Sequence, residues 1–569
     1  MSSTVNIPLD DLPANTCLDV SRLSHPCRFR FMDCHQLLNH RTLRLSETPD
    51  ISSGTYSAFS YVWKGNSVDT SIAAATQAFS VEGAEDGDPV SIDVLMHACT
   101  VSTTIIDAKY IWLDRVCIMQ TNEEDKKWQI RNMYKIYQNS KGCIILPGGL
   151  RRLVRLDEET AWIHRGWTLQ EALAPMKVVV LFAWKAGSGS FTTGDHLRGK
   201  IVQAVPDRSA IGSLRDLLDA CSTGYLTFSA AARNISKVSV QVRIFGLATP
   251  NVRVLAALTS DELAGDPDVR EHAIWKSAFL RTSSRPVDMV FSIMGLLGVS
   301  LDPSAFGKND RAGATIALAR ELVNRGHSAS WLGVALRLPP SPFLSTFPIF
   351  PRTSVEGRAM VPLADEVFEA AEMVDCEYPN RYAMGVGLPY GRMNERGYLT
   401  FTAHAIPVVR QGDVSKQPEE EQGPSRAPMT IVDLNSVTWQ DSSATDNLEQ
   451  NAIKTRTLAV ILGWFDEYYP GATIMDNPAK IKLMIVHEHE QGQFRLISYA
   501  TLNYQFRERV LMWNRQQISL GGLGDPPTLA HASRVGCNLE ASASNMDRAL
   551  TLARWALPQG LFETTYLAG

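Results

Sequence analysis

Residues 110–174 constrain the fold more than any other part of the chain. The apolar runs 110–113 and 142–146 predict two buried strands, and the second run stops at a Pro-Gly-Gly turn sequence. Between them, Thr121 followed by Glu124 predicts a capping box at the start of a helix. This helix should bury one apolar stripe, made of Ile130, Met133, Tyr134 and Tyr137. Strand, helix and strand in this spacing predict a right-handed βαβ unit within a parallel sheet.

Four short pieces in and before this block resemble the heterokaryon-incompatibility (HET) domain of fungal proteins. They are Ser-Tyr-x-Trp at 60–63, Trp-Leu-Asp-x-x-Cys-Ile-x-Gln at 112–120, the helix residues Gln129, Met133 and Tyr137, and Arg-x-Trp-Thr-Leu-Gln-Glu at 165–171. They occur in the family's order, which is a stronger signal than any single motif. One departure from the family pattern is Lys64, which separates Trp63 from Gly65.

The resemblance implies an α/β fold with a TIR-like, flavodoxin-like parallel sheet. It also implies a part in non-self recognition and regulated cell death, acting with an unidentified incompatibility partner protein. Pattern and composition divide the chain into a lead-in at 1–27, a HET domain at 28–190, a helical extension at 191–340 and a β-rich region at 341–569. Within the last region, the acidic, proline-bearing stretch 412–428 predicts a loop or linker.

Glu171 is the first candidate for chemistry. Its surroundings are similar to the stretch that carries the catalytic glutamate of NAD-cleaving TIR domains, so the resemblance implies the same reaction here. Breaking the N-glycosidic bond to nicotinamide builds positive charge on the ribose, and a single carboxylate could stabilise that charge. Arg165 and Trp167 lie beside it in the sequence and are predicted to contact the substrate. The alternative is that Glu171 forms a structural ion pair with Arg165 or caps a neighbouring loop.

Further candidates follow the first two central strands, where the ligand crevice of an open parallel sheet lies. Ser60, Tyr61 and Trp63 come at the end of the first strand. Trp63 could stack on an adenine or nicotinamide ring, and Ser60 could bind a ribose hydroxyl, although an aromatic residue near a glycine is often a packed loop anchor. Asp114 ends the next strand and could orient a ribose hydroxyl, hold an arginine or cap the following turn.

Composition excludes several other classes of function. The net charge of −5 over 569 residues makes nucleic acid an unexpected partner, and no apolar run is long enough to predict a membrane span. Nine cysteines without a Cys-x-x-Cys pair favour a reduced, cytoplasmic protein with no metal site and no bound cofactor. Cys117 has no adjacent base in the sequence and is not predicted to be a nucleophile.

Two hypotheses for function therefore remain open. In the first, the HET domain cleaves NAD, or a related nucleotide, at the N-glycosidic bond, and NAD is a substrate rather than a resident cofactor. The TIR likeness then implies self-association, because TIR-type enzymes generally complete their sites by assembly. In the second, the same fold is a non-enzymatic adaptor that signals through homotypic contacts between HET domains. A crevice lined by Glu171 would favour the first hypothesis.

Overall fold

A computed structural model describes residues 4–11, 16–22, 24–51, 54–68, 77–194, 197–231, 237–260, 265–363, 365–380, 386–411, 429–441, 455–467 and 480–522. Within these residues a large mixed sheet occupies the amino-terminal half, and a second sheet occupies the carboxy-terminal half. The structure is therefore mixed α/β with a β-rich carboxy-terminal region, as predicted. The predicted loop 412–428 lies outside the described residues.

The first sheet runs in the order β1-β4-β3-β8-β5-β9-β10-β13-β12-β11-β14-β15. Its strands are β1 Thr4–Pro8, β3 Phe29–Asp33, β4 Thr42–Thr48, β5 Tyr56–Tyr61, β8 Tyr110–Trp112, β9 Gly142–Leu146, β10 Val178–Ala183, β11 Gly189–Thr193, β12 Arg198–Val205, β13 Ser209–Ser213, β14 Tyr225–Ala230 and β15 Val238–Gln241. A small separate sheet joins β2 Cys17–Leu18, β6 Ala78–Val81 and β7 Val90–Ser91. Part of the predicted lead-in, 1–27, thus forms the edge strand β1.

The centre of the first sheet is parallel. β5 pairs in parallel with β8 on one side and β9 on the other, and β9 pairs in parallel with β10. Along the chain, β5 is therefore followed by β8 on one side of it and then by β9 on its other side. This change of direction creates a topological switch point, where the carboxyl ends of neighbouring strands leave a crevice. The predicted parallel unit is confirmed.

Helices cover both faces of the sheet and extend beyond it. They are α1 Cys34–His40, α2 Ile92–Val101, α3 Asp114–Cys117, α4 Glu123–Asn139, α5 Thr168–Leu173, α6 Leu214–Thr223, α7 Pro250–Thr259, α8 Pro267–Phe279, α9 Asp288–Met294, α10 Arg311–Asn324 and α11 Arg507–Leu511. The capping box predicted from Thr121 is wrong by one residue. The side chain of Asn122, which has the extended backbone of an N-cap, caps α4 by accepting from the Asp125 amide at 2.9 Å.

The helix pattern predicted for residues 191–340 is wrong for its first part. Strands β11 to β15 fill most of 189–241 and continue the first sheet through antiparallel pairs. Short strands with one exposed face carry few apolar residues, so their sequences do not stand out as buried runs. The three stretches of this region whose spacing most clearly predicts helices, 213–220, 268–280 and 312–324, are confirmed as α6, α8 and α10.

The carboxy-terminal sheet contains the strands that its alternating sequence predicts. Its strands are β18 Glu377–Pro379, β19 Gly391–Met393, β20 Tyr398–Arg410, β21 Thr430–Val432, β22 Thr438–Asp441, β23 Thr457–Glu467, β24 Lys480–Glu490, β25 Gln493–Leu502 and β26 Arg515–Gly521. A separate hairpin joins β16 Met360–Leu363 and β17 Glu366–Glu369. The turn between β24 and β25 places Gly492 at a φ of +74°, a conformation that favours glycine.

A buried ion pair joins the start of α4 to strand β3 of the first sheet. The fully buried Arg30 guanidinium donates to the Asp125 carboxylate at 3.0 Å and to Glu47 at 3.2 Å. It also donates to the Cys117 carbonyl at 2.9 Å, and Asp125 accepts from the Met119 amide at 2.9 Å. Because both charges are removed from water, each depends on the other for its hydrogen bonds.

Among the described residues, no helix combines the length and the apolar character that crossing a membrane requires.

We expect Asp125→Asn to lower the free energy of unfolding by about 3–5 kcal/mol, because it leaves the Arg30 charge buried without its main partner. Urea unfolding followed by circular dichroism measures this change. The matched control is Glu123→Gln, an exposed acid in the same helical turn, which should cost less than about 1 kcal/mol. Equal losses in the two variants would contradict a special role for the buried pair.

Candidate functional site

A cavity of about 740 Å³ opens at the switch point, beside the carboxyl ends of β5 and β8. This is the position at which open parallel sheets bind ligands, and the volume is in the range of small-molecule sites. Its walls come from the loops after β5 and β8, from α4, from residues 161–171, and from residues 284–291, 303–308 and 355–356. Segments that are far apart in the sequence therefore enclose this cavity together.

Glu171 lies on the wall of this cavity and is held by a chain of hydrogen bonds. The Ser60 hydroxyl donates to Glu171 Oε2 at 2.6 Å, and Trp162 Nε1 donates to Ser60 Oγ at 2.8 Å. Tyr137 on α4 lies on the same cavity wall, and its hydroxyl donates to the Phe59 carbonyl at 2.7 Å. Ser60 itself is fully buried and does not line the cavity. It reaches the cavity through Glu171, which it orients.

The surroundings of Glu171 favour its neutral form. The pKa of Glu171 is raised to about 8, mainly by burial and also by the nearby Asp114 carboxyl, although the hydrogen bond from Ser60 opposes the shift. This carboxyl is therefore mostly protonated at neutral pH. A positive charge placed beside it would favour the ionised form, because opposite charges lower the pKa of an acid.

Asp114 organises the loop that follows β5. Its carboxylate accepts from the hydroxyl of Tyr61 and from Trp63 Nε1, the latter at 3.1 Å. The guanidinium of Arg115 lies 5.6 Å from the Trp63 ring centroid. Burial raises the pKa of Asp114. These contacts hold Tyr61 and Trp63 on the cavity wall, so the loop is positioned by an acid that follows a different strand.

Lys64 adds a residue between Trp63 and Gly65, and the loop still packs tightly on the turn after β9. The exposed Lys64 ammonium pairs with Glu356 at 2.7 Å at the rim of the cavity. Gly65 packs so closely on the turn after β9 that an added Cβ would lie 1.9 Å from the Gly148 carbonyl oxygen. The departure from the family pattern therefore places Lys64 at the rim of the cavity. Position 65 still requires glycine, because a larger residue would clash with the backbone of Gly148.

Arg165 and Trp167 lie on the cavity wall near Glu171. Arg165 Nη1 donates to the backbone carbonyl of Ser354 at 3.0 Å and also to that of Val355. Burial lowers the pKa of Arg165. Trp167 forms a hydrogen bond with the Asp288 carboxylate. The two residues thus connect the Glu171 segment to the parts of the chain that close the cavity.

Arg281 and Asp288 also contribute to the site, and neither is among the site residues predicted from the sequence. Arg281 is buried and donates to the Arg165 carbonyl at 2.9 Å and to Thr168 Oγ1 at 2.7 Å. Burial lowers the pKa of Arg281 to about 9. Asp288 lines the cavity, and burial raises its pKa to about 6.

Other candidates do not join the site. Cys117 is buried, its Sγ accepts from the Leu113 amide at 3.4 Å, and burial raises its pKa to about 12. A thiol of this kind is unreactive. Across the described parts of the chain, no group of three or more His, Cys, Asp or Glu side chains is arranged to hold a metal ion.

The structure brings most of the predicted site residues to one cavity. Glu171, Tyr61, Trp63, Asp114, Arg165 and Trp167 line it. Their predicted contacts with a substrate stay predictions.

The family model described as heterokaryon incompatibility protein (HET) matches residues 56–152. This match confirms the resemblance seen in the sequence pieces, and it contains the loop with Trp63 together with Asp114 and Tyr137. The matched segment ends before Glu171 and Asp288, which complete the same cavity. No curated protein and no solved structure shows significant similarity to the chain.

We expect Glu171→Gln to raise the melting temperature, and the gain should grow between about pH 4.5 and about pH 8 and level off above. The folded-state pKa lies above the unfolded value, so ionising this acid costs folding free energy as the pH rises through that window. Differential scanning fluorimetry of the two proteins across this range measures the difference. A gain that does not change with pH would show that burial does not raise the pKa of Glu171.

Proposed function

We propose that this protein acts in heterokaryon incompatibility, in the non-self recognition that leads to regulated cell death. We further propose that its site cleaves NAD, or a related nucleotide, at the N-glycosidic bond. The observation that carries the second proposal is the position of Glu171: an acid with a raised pKa on the wall of a cavity of about 740 Å³ at the sheet's switch point. Acids perturbed by burial in a cleft are typical of active sites.

The proposed reaction needs little chemistry from the protein. The bond between ribose C1′ and the nicotinamide nitrogen breaks, and its electron pair leaves with neutral nicotinamide. The ribose is left with a positive charge, which the Glu171 carboxylate stabilises. Water then adds to C1′ and loses a proton, so that NAD⁺ and water give nicotinamide, ADP-ribose and H⁺. Nicotinamide leaves without being protonated, so a single acid is sufficient.

The positive charge of the substrate would change the protonation state of Glu171. The nicotinamide ring of NAD⁺ is cationic, so its binding beside Glu171 favours the ionised carboxylate. The low dielectric of the site strengthens this attraction, because little water screens it. As the glycosidic bond breaks, the positive charge moves from the ring to the ribose. In the proposed binding mode, the carboxylate stays beside that charge throughout.

The other residues of the site have supporting roles in this proposal. Trp63 offers a half-exposed indole ring, fixed by Asp114, against which a base or the nicotinamide ring stacks. Ser60 positions Glu171 and does not itself touch the substrate. Asp288 lies on the same cavity wall and offers a second acid for a ribose hydroxyl or the attacking water. Self-association of the domain, implied by the TIR likeness, belongs to the same proposal.

We expect the purified protein, assayed at high concentration to favour assembly, to release nicotinamide from NAD. Glu171→Gln should lower the rate at least about a hundredfold, the usual effect of removing one group that stabilises transition-state charge. The control is Glu123→Gln, which removes an exposed acid from the rim of the same cavity and should change the rate little. Liquid chromatography of nicotinamide measures the rate, and circular dichroism checks the fold.

If neither the free nor the assembled protein releases nicotinamide, the enzymatic proposal fails and the non-enzymatic adaptor is favoured. The adaptor hypothesis predicts contacts between HET domains that do not depend on Glu171.

We expect kcat/KM for nicotinamide release to rise with pH and to level off above about pH 8, because only the ionised form of Glu171 stabilises the ribose cation. Below this point the rate should fall about tenfold for each pH unit. A pH series with the wild-type protein measures this profile. A rate that falls as the pH rises toward 8 would instead assign Glu171 the role of a general acid.

A further inference from the structure

Three exposed cations line the cavity at the switch point, and the roles proposed above do not use them. They are Lys127 on α4, Arg285 just before α9 and Lys308 just before α10. A cavity of about 740 Å³ accommodates a ligand much larger than nicotinamide. The part of such a ligand that lies away from Glu171 therefore meets other side chains of the wall.

A backbone hydrogen bond holds two of these cations on neighbouring segments. The Val287 amide donates to the Lys308 carbonyl at 3.3 Å, so the segment that carries Arg285 runs beside the segment that carries Lys308. Val287 is buried and lines the cavity. Because the backbone on both sides of this hydrogen bond borders the cavity, the two cations lie at the same edge of it.

The third cation, Lys127, comes from α4, which packs on the same part of the chain. Residues 303–305 contact α4, and Arg131 on this helix forms an ion pair with Asp302. Lys127 precedes Arg131 by four residues, so the two side chains lie on the same side of the helix. Lys127 is thus one turn from this contact, and the three cations belong to one wall of the cavity.

The three cations are not neutralised by carboxylates. Across the residues that the structure describes, none of the three forms an ion pair. Other cations of the cavity are already engaged, because Lys64 pairs with Glu356 at 2.7 Å and Arg165 donates to backbone carbonyl groups. The positive charge on this wall is therefore available to a ligand.

The acids that line the cavity leave this charge in place. Glu85 and Asp86 lie on the loop between β6 and β7, and Glu123 lies at the start of α4. Asp288 is close enough to Arg285 to feel its charge: burial raises the pKa of Asp288 to about 6, and Arg285 opposes that rise. Asp288 is only 8% exposed, however, so the exposed Arg285 guanidinium can still reach an anion from the solvent side.

A ligand with linked phosphates suits this wall. Guanidinium and ammonium groups both bind phosphate oxygens through charge-assisted hydrogen bonds. In the proposed substrate, a diphosphate follows the reacting ribose, so a positive ring and a negative diphosphate lie in one molecule. An acid at one part of the cavity and three cations at another complement these two charges, and such complementarity fixes the orientation of a ligand.

This inference rests on the proposed function: we propose that Lys127, Arg285 and Lys308 bind the diphosphate of the substrate. The cavity then selects a dinucleotide, in which a diphosphate joins the reacting riboside to a second nucleoside. Nicotinamide riboside has the same glycosidic bond without a phosphate, and it binds more weakly because the three cations gain no partner. Nicotinamide mononucleotide, with one phosphate, is intermediate.

Isothermal titration of the full chain with ADP-ribose tests this subsite without the reaction, because ADP-ribose has the diphosphate and lacks nicotinamide. We expect ADP-ribose to bind, and adenosine to bind at least about tenfold more weakly. Arg285→Gln and Lys308→Gln should each weaken ADP-ribose binding about tenfold, because each removes charge-assisted hydrogen bonds. The matched control is Lys135→Gln, an exposed lysine on α4 outside the cavity, which should leave binding unchanged.

The kinetics of nicotinamide release give a second readout with the same variants. For NAD, Arg285→Gln and Lys308→Gln should raise KM about tenfold and leave kcat unchanged, because they remove contacts made equally in the ground state and the transition state. For nicotinamide riboside, they should change neither constant. Circular dichroism checks that each variant keeps its fold.

The two readouts separate this proposal from the proposed reaction. If ADP-ribose binding depends on Arg285 and Lys308 but no nicotinamide is released from NAD, the reaction is wrong and the subsite stands. If nicotinamide is released and the variants change neither ADP-ribose binding nor the KM for NAD, the reaction stands and the subsite is overturned. The subsite is also overturned if ADP-ribose does not bind, if adenosine binds as tightly, or if Lys135→Gln weakens binding equally.

Discussion

The partial burial of Glu171 is the constraint on which the candidate site depends. A carboxyl at the end of a parallel sheet is ordinarily solvated, and it would then be an ordinary surface acid. Here α5 carries it beneath the loop after β5, and residues 284–291, 303–308 and 355–356 close the space around it. Burial, more than any single charged neighbour, raises its pKa. The chemistry open to this residue therefore depends on segments that lie far from it in the sequence.

Buried arginines hold those segments together. Arg281 ties α8 to the Glu171 segment through the Arg165 carbonyl and Thr168, and Arg165 reaches on to the backbone at Ser354 and Val355. An arginine suits this task because its planar group donates in several fixed directions at once. These contacts also explain why the cavity extends beyond the segment that the HET family model matches. The matched residues 56–152 supply one wall, and the later segments supply the rest.

Sequence reasoning succeeded where a pattern depends on one element and failed where it depends on a contact between elements. The parallel strands and the helices α8 and α10 could be predicted because apolar runs and helical spacing are local. The three acids at the start of α4 could not be distinguished locally, since all of them suit the positive end of a helix dipole. Only the structure shows that Asp125 is buried against Arg30 while Glu123 remains in water. The position of Ser60 at the end of a strand predicts that it lies near the site, but its contact with Glu171 depends on how α5 packs.

The sequence by itself determined the βαβ unit, the likeness to the HET domain and the acid on which a reaction could depend. Each of these follows from residue type and spacing within short segments, where backbone geometry alone sets which side chains share a face. Tertiary structure alone decided that Glu171 faces a cavity and that Asp288 shares it. Those outcomes depend on burial and on distances between remote segments, which the packing of the whole chain sets and which no local pattern records.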